Sequence, residues 1–377
     1  VNRLRLPAAA DRADESPAEE APPSTVNGIG DLVVDTEIRR SRLPLGWVIA
    51  GLGAVTVSAT LGLVIGPVDL GVGTVARELV GLPSGMSEAE QAILWQIRLP
   101  RVVLGLLVGA TLALAGAGYQ GVFRNPLADP YLLGAAAGAG LGVTIAIVGT
   151  SAGAPLPLSA PVAAFAGALV AVALTYVLGA AGGAGGASAS TASLILAGVA
   201  VASFLTASQT YLQQRHRETL QEVYSWILGR LFTVGWREVA IMAPYFAVTA
   251  LVLLAQRRTL DVLAVGDDEA ATLGLHARRT RVVVVVAASL GTAAAVSVSG
   301  LIGFVGIIVP HTVRLLAGAS HRVILPLSLL FGGAFLVLAD LAARTLASPA
   351  EIPIGVVTAF FGAPFFVLVL RTSKRLT

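Results

Sequence analysis

The chain has 377 residues, a formal net charge of +3, 55% hydrophobic and only 12% charged residues, and a mean hydropathy of +0.82. Soluble domains carry about a quarter of their residues as charges, so these values exclude one and describe a polytopic membrane protein. The lack of cysteine excludes disulfides and thiolate metal sites and leaves the redox compartment open, while Lys374 as sole lysine beside 24 arginines reads as the bias of a high-GC genome.

Residues 1–43 form a different polymer from the rest. The run VNRLRLPAAADRADESPAEEAPPSTVNG is rich in proline, alanine and acidic residues and has no helical period. It cannot bury enough apolar surface to offset its ordering entropy, so a disordered tail is expected. No basic start leads directly into an apolar core with a small-residue cleavage site, which predicts that the tail stays in the cytoplasm. The membrane domain is then 44–377.

Ten apolar segments follow, at about 45–65, 102–123, 131–148, 162–178, 192–211, 239–255, 282–298, 302–316, 324–341 and 354–370. The stretch 68–95 behind the first is amphipathic and too charged to cross. Between Asp129 and Arg215 lie 85 residues without a charged side chain, room for several spans when about 20 apolar residues suffice for one. Alternating ten-residue strands are missing, so the expected class is all-α and polytopic. With the N-terminus inside, 14 basic residues near the spans face the cytoplasm and 8 face outward, which places both termini in the cytoplasm.

That orientation puts FRNPLADPYLLG, residues 123–134, at the cytoplasmic side between the second and third spans. Pro126 and Pro130 force Asn125 and Asp129 out of helical geometry and delete two backbone donors, so the chain must turn there. Asn125 and Asp129 can cap the helix ends so created. Gly109, Gly116, Gly118, Gly121, Gly134, Gly138, Gly140 and Gly142 around it permit close helix approach. The reading is a structural turn. Between the sixth and seventh spans, LDVLAVGDDEAATLGLHARRTR predicts two short cytoplasmic helices broken at Gly266 and Gly274, more structure than a connector of a few residues needs.

Few polar residues lie within the spans. Asp340 and Arg344 are spaced i,i+4, which predicts an internal ion pair or helix-end cap, and His311, beside Pro310, is expected to be structural. Ser203, Thr206, Ser208 and Gln209 gather at one end of the fifth span and make it the expected wall of a pathway. The chain has no G-x-x-x-x-G-K-[ST] sequence, so it cannot use ATP by itself.

Four stretches then resemble one family: RLPRVVLGLLVGATLALAGAGYQGVFRNPLADPYLLGAAAGAGLG (98–142), LAVGDDEAATLGL (263–275), SGLIGFVGIIVPHTVRLL (299–316), and HRVILPLSLLFGGAFLVLADLAAR with EIPIGVVTAFFGAPFF (321–366). In order and spacing, over roughly 45–375, they resemble FecCD permeases, subunits of ATP-binding-cassette importers for iron-siderophores, haem and cobalamin. The long acidic tail departs from that pattern.

The resemblance implies a type II importer permease fold of about ten helices in two inverted halves, in the inner membrane, dimerised with a second copy. It implies two ATPase partner subunits, which carry the ATP and Mg, and one extracytoplasmic binding protein. No cofactor, metal or nucleic acid is expected on this chain. It also implies a coupling loop (261–278), with Gly266, Ala270, Leu273, Gly274 and Leu275 at the ATPase, and docking of the binding protein by Arg98, Arg101 and Arg344. Within the family an iron chelate is the commonest cargo, with cobalamin as the alternative. A proton-coupled secondary transporter is the competing class, for which GATLALAG (109–116) against GTAAAVSVSG (291–300) is a faint internal echo. That class calls for buried carboxylates, and Asp340 is the clear candidate. A channel would need rings of charge or a filter motif that the sequence lacks.

Overall fold

The computed structural model describes residues 43–151, 159–181, 191–231 and 235–373. The expected tail, apart from residue 43, lies outside them, as do Lys374 and Arg375.

The described chain is helical throughout, in the order α1 Leu45–Val64, α2 Val72–Leu79, α3 Glu88–Ala92, a π-helical turn Ile93–Arg98, α4 Leu99–Phe123, α5 Ala135–Ser151, α6 Ala160–Ala181, α7 Thr191–Arg215, a 3-10 turn Arg217–Thr219, α8 Leu220–Ile227, α9 Trp236–Ala255, α10 Arg257–Leu263, α11 Asp267–Thr272, α12 Ala277–Ser299, α13 Val305–Ala317, α14 His321–Thr345 and α15 Ile354–Ser373. Seven helices are long and apolar enough to cross a membrane: α1, the run Glu88–Phe123, α6, α7, α9, α12 and α14. Three of the ten expected segments correspond to the shorter apolar helices α5, α13 and α15. At 1.5 Å per residue, the 13 residues of α13 reach about 20 Å, less than a bilayer core of about 30 Å.

Where the sequence placed a non-spanning stretch up to Trp95, helix begins at Glu88. Its start is fixed by a capping box, in which Ser87 Oγ accepts from the Glu90 amide while Glu90 Oε2 accepts from the Ser87 amide at 2.8 Å. The π turn carries that helix into α4 without a break. Conversely, residues 131–134 belong to the proline turn and not to the third apolar helix.

α4 is the axis of the bundle, buried over most of its length against α9, α12, α13 and α14. Glycine makes this possible. A Cβ on Gly109 would overlap the carbonyl of Gly332 in α14, and one on Gly116 would overlap that of Gly306 in α13, so the backbones touch where any side chain would hold them apart. α5 and α6 pack closely beside this core, with α7 against both. α1 lies on α14, and α15 covers α13 and α14. α7 keeps Leu196, Phe204 and Tyr211 exposed, and α15 keeps Phe360 and Phe361 exposed.

Candidate functional site

The polar connection between α9 and α12 folds as the two short helices α10 and α11, with positive φ at Gly266 (137°) and Gly274 (79°). Its outer surface presents Val265 and Leu273, the latter 69% exposed, and Gly274 has open space where a side chain would go. The five expected contact residues divide. Leu273 and Gly274 are exposed and Leu275 half-buried, whereas Gly266 and Ala270 are buried. The helical period turns Ala270 inward to pack the loop on its own bundle.

Two carboxylates hold the loop. Asp261 Oδ2 accepts from Ser320 Oγ at 2.6 Å, and its Oδ1 accepts from the His321 amide at 2.6 Å and lies 3.0 Å from His321 Nδ1. Burial alone would raise the Asp261 pKa, but the bonds from His321 and Ser320 outweigh it and hold the carboxyl below its usual value. The His321 ring is itself wedged on α4, where a Cβ on Gly121 would meet its Nε2 at 2.7 Å. Asp267 Oδ1 pairs with Arg281 Nη2 at 2.6 Å and with Arg124 Nη2 at 3.3 Å. Through Arg124 the loop therefore touches the proline turn directly.

The chain turns at the two prolines, but Asn125 and Asp129 close turns within the segment and do not cap a helix end. Arg124 ends α4 in left-handed geometry (φ 49°), and the Asn125 amide donates back to the Gln120 carbonyl at 3.1 Å. Asn125 Oδ1 accepts from the Leu127 amide at 2.9 Å and Asp129 Oδ1 from the Tyr131 amide at 2.7 Å. These are paired Asx turns. Pro130 packs against Gly306, Pro126 is exposed, and Tyr131 Oη donates to the Ile302 carbonyl at 3.1 Å.

At the other end of α4 lie the three arginines expected to dock a binding protein. Arg98, Arg101 and Arg344 are only 4%, 8% and 6% exposed. Arg98 Nη1 donates to the carbonyls of Leu63 (2.8 Å) and Val64 (2.7 Å), its Nη2 donates to that of Val68, and Arg344 Nη2 donates to that of Gly62 at 2.6 Å. The two guanidinium groups thus satisfy the orphan carbonyls that end α1. Arg101 grips Asp340 through Nε (2.9 Å) and Nη2 (2.8 Å) and Glu351 through Nη1 (3.0 Å) and Nη2 (2.9 Å). Within this chain these side chains tie the bundle together. The Asp340–Arg344 pair exists at 3.8 Å, but the stronger partner of Asp340 is Arg101, which spacing along one helix could not reveal.

On α7, Ser203 and Thr206 are exposed, whereas Ser208 and Gln209 are half-buried. Ser208 Oγ bonds to the Phe204 carbonyl within the helix at 2.9 Å, and Gln209 lies against Gly140 of α5. His311 is buried edge-on to Phe365, with ring centres 5.9 Å apart. Among the described residues no three His, Cys, Asp or Glu side chains converge as a metal site. Sequence reading missed α8, although Leu220, Val223 and Ile227 of LQEVYSWI recur at helical spacing.

Comparisons with known proteins agree on one relationship. Residues 54–372 match the FecCD transport family. The chain is 45% identical over 297 residues to the cobalamin import system permease BtuC of Halobacterium salinarum, covering 78% of this chain and 77% of that one. It is 36% identical over 292 residues to the hemin transport system permease HmuU of Yersinia pestis, covering 74% and 83%. A solved ABC transporter, assigned to the metal-chelate type and in an inward-facing conformation, superposes with a TM-score of 0.76 at 29% identity, covering 87% of this chain and all of that one.

Proposed function

The chain belongs to the FecCD transport family, and we propose that it is the permease subunit of an ATP-driven importer that carries a metal chelate across the cytoplasmic membrane. The observation that carries this is the family match over 54–372, which runs from within α1 to the end of the bundle. The exposed Val265, Leu273 and Gly274 of the loop offer a surface on which an ATPase subunit can seat. ATP and Mg belong to that subunit.

The apolar faces of α7 and α15 are exposed in one chain, and covering them with a second copy gives a pathway between two protomers, with two ATPase subunits inside and one binding protein outside. In this reading α5, α13 and α15 complete ten spans in two inverted halves, and both termini lie in the cytoplasm with the loop. ATP binding pulls the ATPase pair together and tilts the two copies between inward- and outward-open states. Ser203 and Thr206 line the pathway.

The commonest cargo of the family is an iron chelate, siderophore or haem. A specific observation favours the corrinoid alternative: of the two permeases compared above, the cobalamin permease is the more similar, 45% against 36%. Uptake of labelled ferric siderophore, haem and cobalamin by a strain lacking this gene, restored by the gene, decides among them. Co-purification with a Walker-motif subunit and loss of uptake when that subunit is inactivated test the importer reading. Uptake that survives without ATP and follows a proton gradient overturns it in favour of a secondary transporter.

A further inference from the structure

α6 and α12 run side by side and leave an open seam with two unlike parts. Where α6 begins and α12 ends there is a cleft of about 480 Å³, lined by Phe165, Trp226, Arg230, Arg237, Glu238 and Tyr245 among others. Further along the same seam lies a trough of about 390 Å³, lined by Leu169, Val172 and Tyr176 of α6 and Val282, Val286 and Leu290 of α12. Val162, Phe165, Leu169, Val172 and Tyr176 recur every three or four residues, so one stripe of α6 forms the wall of both parts. Val177 and Val286 are well exposed, so the trough opens sideways to the membrane.

Arg230, Arg237 and Glu238 line the mouth, Arg237 is exposed, and Glu238 Oε2 accepts from the Gly235 amide at 2.8 Å. Trp236, exposed beside Arg237, donates its indole N–H to the Trp95 carbonyl at 2.8 Å. Tryptophans so placed mark the headgroup level of a bilayer. From Val162 the stripe descends about 15 Å to the level of Val172 at 1.5 Å per residue. That is about half of a hydrocarbon core of about 30 Å, the depth one leaflet's acyl chain occupies.

We propose that the α6–α12 seam is a binding site for a phospholipid with an anionic headgroup. Its phosphate sits on the exposed Arg237, beside Arg230, and one acyl chain lies down the trough past Leu169 and Val172. Arg suits this role because its planar fork pairs with phosphate oxygens in two bonds. The site differs from the groove between α1, α13 and α14, a cavity of about 360 Å³ lined by Trp47, Ile308 and Leu338 among others. No charged side chain lines that groove, so nothing in it selects a headgroup. The inference needs only that the chain sits in a bilayer and stands whatever cargo it moves.

The test is native mass spectrometry of the purified permease with its partner subunits, after exchange into nanodiscs of equal phosphatidylglycerol and phosphatidylcholine. Wild type is expected to retain phosphatidylglycerol several-fold over phosphatidylcholine. Arg230→Gln with Arg237→Gln should abolish that preference, and Arg237→Gln alone, at an exposed position, should reduce it without disturbing the fold. Val286→Trp, which fills the trough, should lower retention of both lipids in a complex that stays assembled. Equal retention of the two lipids by wild type, or a preference unchanged in the double variant, overturns the headgroup assignment. Unaltered retention in Val286→Trp overturns the placement of the chain.

Discussion

Replacing Asp340 by asparagine tests whether the arginine cluster at the end of α4 is a structural tie. The substitution keeps the volume and removes one charge from a site where Arg101 and Asp340 side chains are only 9% and 5% exposed and joined by bonds of 3.1, 2.9 and 2.8 Å. Removing one partner of a buried pair costs about 3–5 kcal/mol, because the remaining charge has lost its compensation. Glu351 still holds Arg101, and the asparagine oxygen still accepts, so the lower end is expected. About 3 kcal/mol lowers the folded-to-unfolded ratio more than a hundredfold. Glu351→Gln is the internal comparison, since that side chain is one-third exposed and such a pair contributes about 0–1 kcal/mol. Equilibrium unfolding in mixed micelles reads both. The reasoning fails if Asp340→Asn unfolds at the wild-type midpoint, or if Glu351→Gln costs more than Asp340→Asn.

Four further outcomes are expected. Arg124→Gln and Asp267→Asn should each reduce substrate moved per ATP in proteoliposomes without loss of assembly, and because Asp267 also holds Arg281 the double variant should be no worse than Asp267→Asn alone; unchanged ratios in all three would remove this ion pair from force transmission. Gly116→Val should prevent stable assembly, since its Cβ overlaps the Gly306 carbonyl and overpacking costs about 1–3 kcal/mol or more; size-exclusion profiles equal to wild type would contradict the packing account. Gly274→Asp, at an open position where φ of 79° suits Asp better than branched residues, should fold normally yet lose substrate-stimulated ATP hydrolysis, as the activity of the reconstituted complex will show. Because the folded pKa of Asp261 is depressed, its stabilising contribution is complete above the unfolded carboxylate value of about 4 and is lost as pH falls through the folded value; the stability gap between wild type and Asp261→Asn should therefore be present at pH 7 and shrink as the pH falls below about 4, and a gap that widens with acidification would refute the sign.

The features legible in the sequence were those with local causes. Proline at 126 and 130 dictates a turn wherever the segment lies, and glycine at 266 and 274 breaks helix regardless of neighbours. The apolar segments declared themselves through composition, yet their ends did not: Ser87 and Glu90 extend a helix into a charged stretch by a cap that only a deliberate search for S-x-x-E would find. The bonds of the arginines were not legible for a different reason. Position near a membrane rim says nothing about whether a guanidinium group points to water or to the carbonyl ends of another helix, and the partners of Arg101 lie 239 and 250 residues away. The same holds for Asp261 and His321, which only the packing of α10 on α14 brings together, and for Ala270, whose inward direction depends on where α11 begins.

The distance between Arg101 and its partners also has a consequence in time. Ribosomes add about 5–20 residues per second, so α4 emerges some 12 to 48 seconds before Asp340 exists. During that interval α4 holds a cation with no counter-charge at a membrane boundary, and its side chain must snorkel towards the headgroups. The last helices of the chain therefore act as a clasp. Until Asp340 and Glu351 arrive, the nascent chain, already nearly complete, carries an open charge on α4. A chain truncated before α14 leaves that clasp undone.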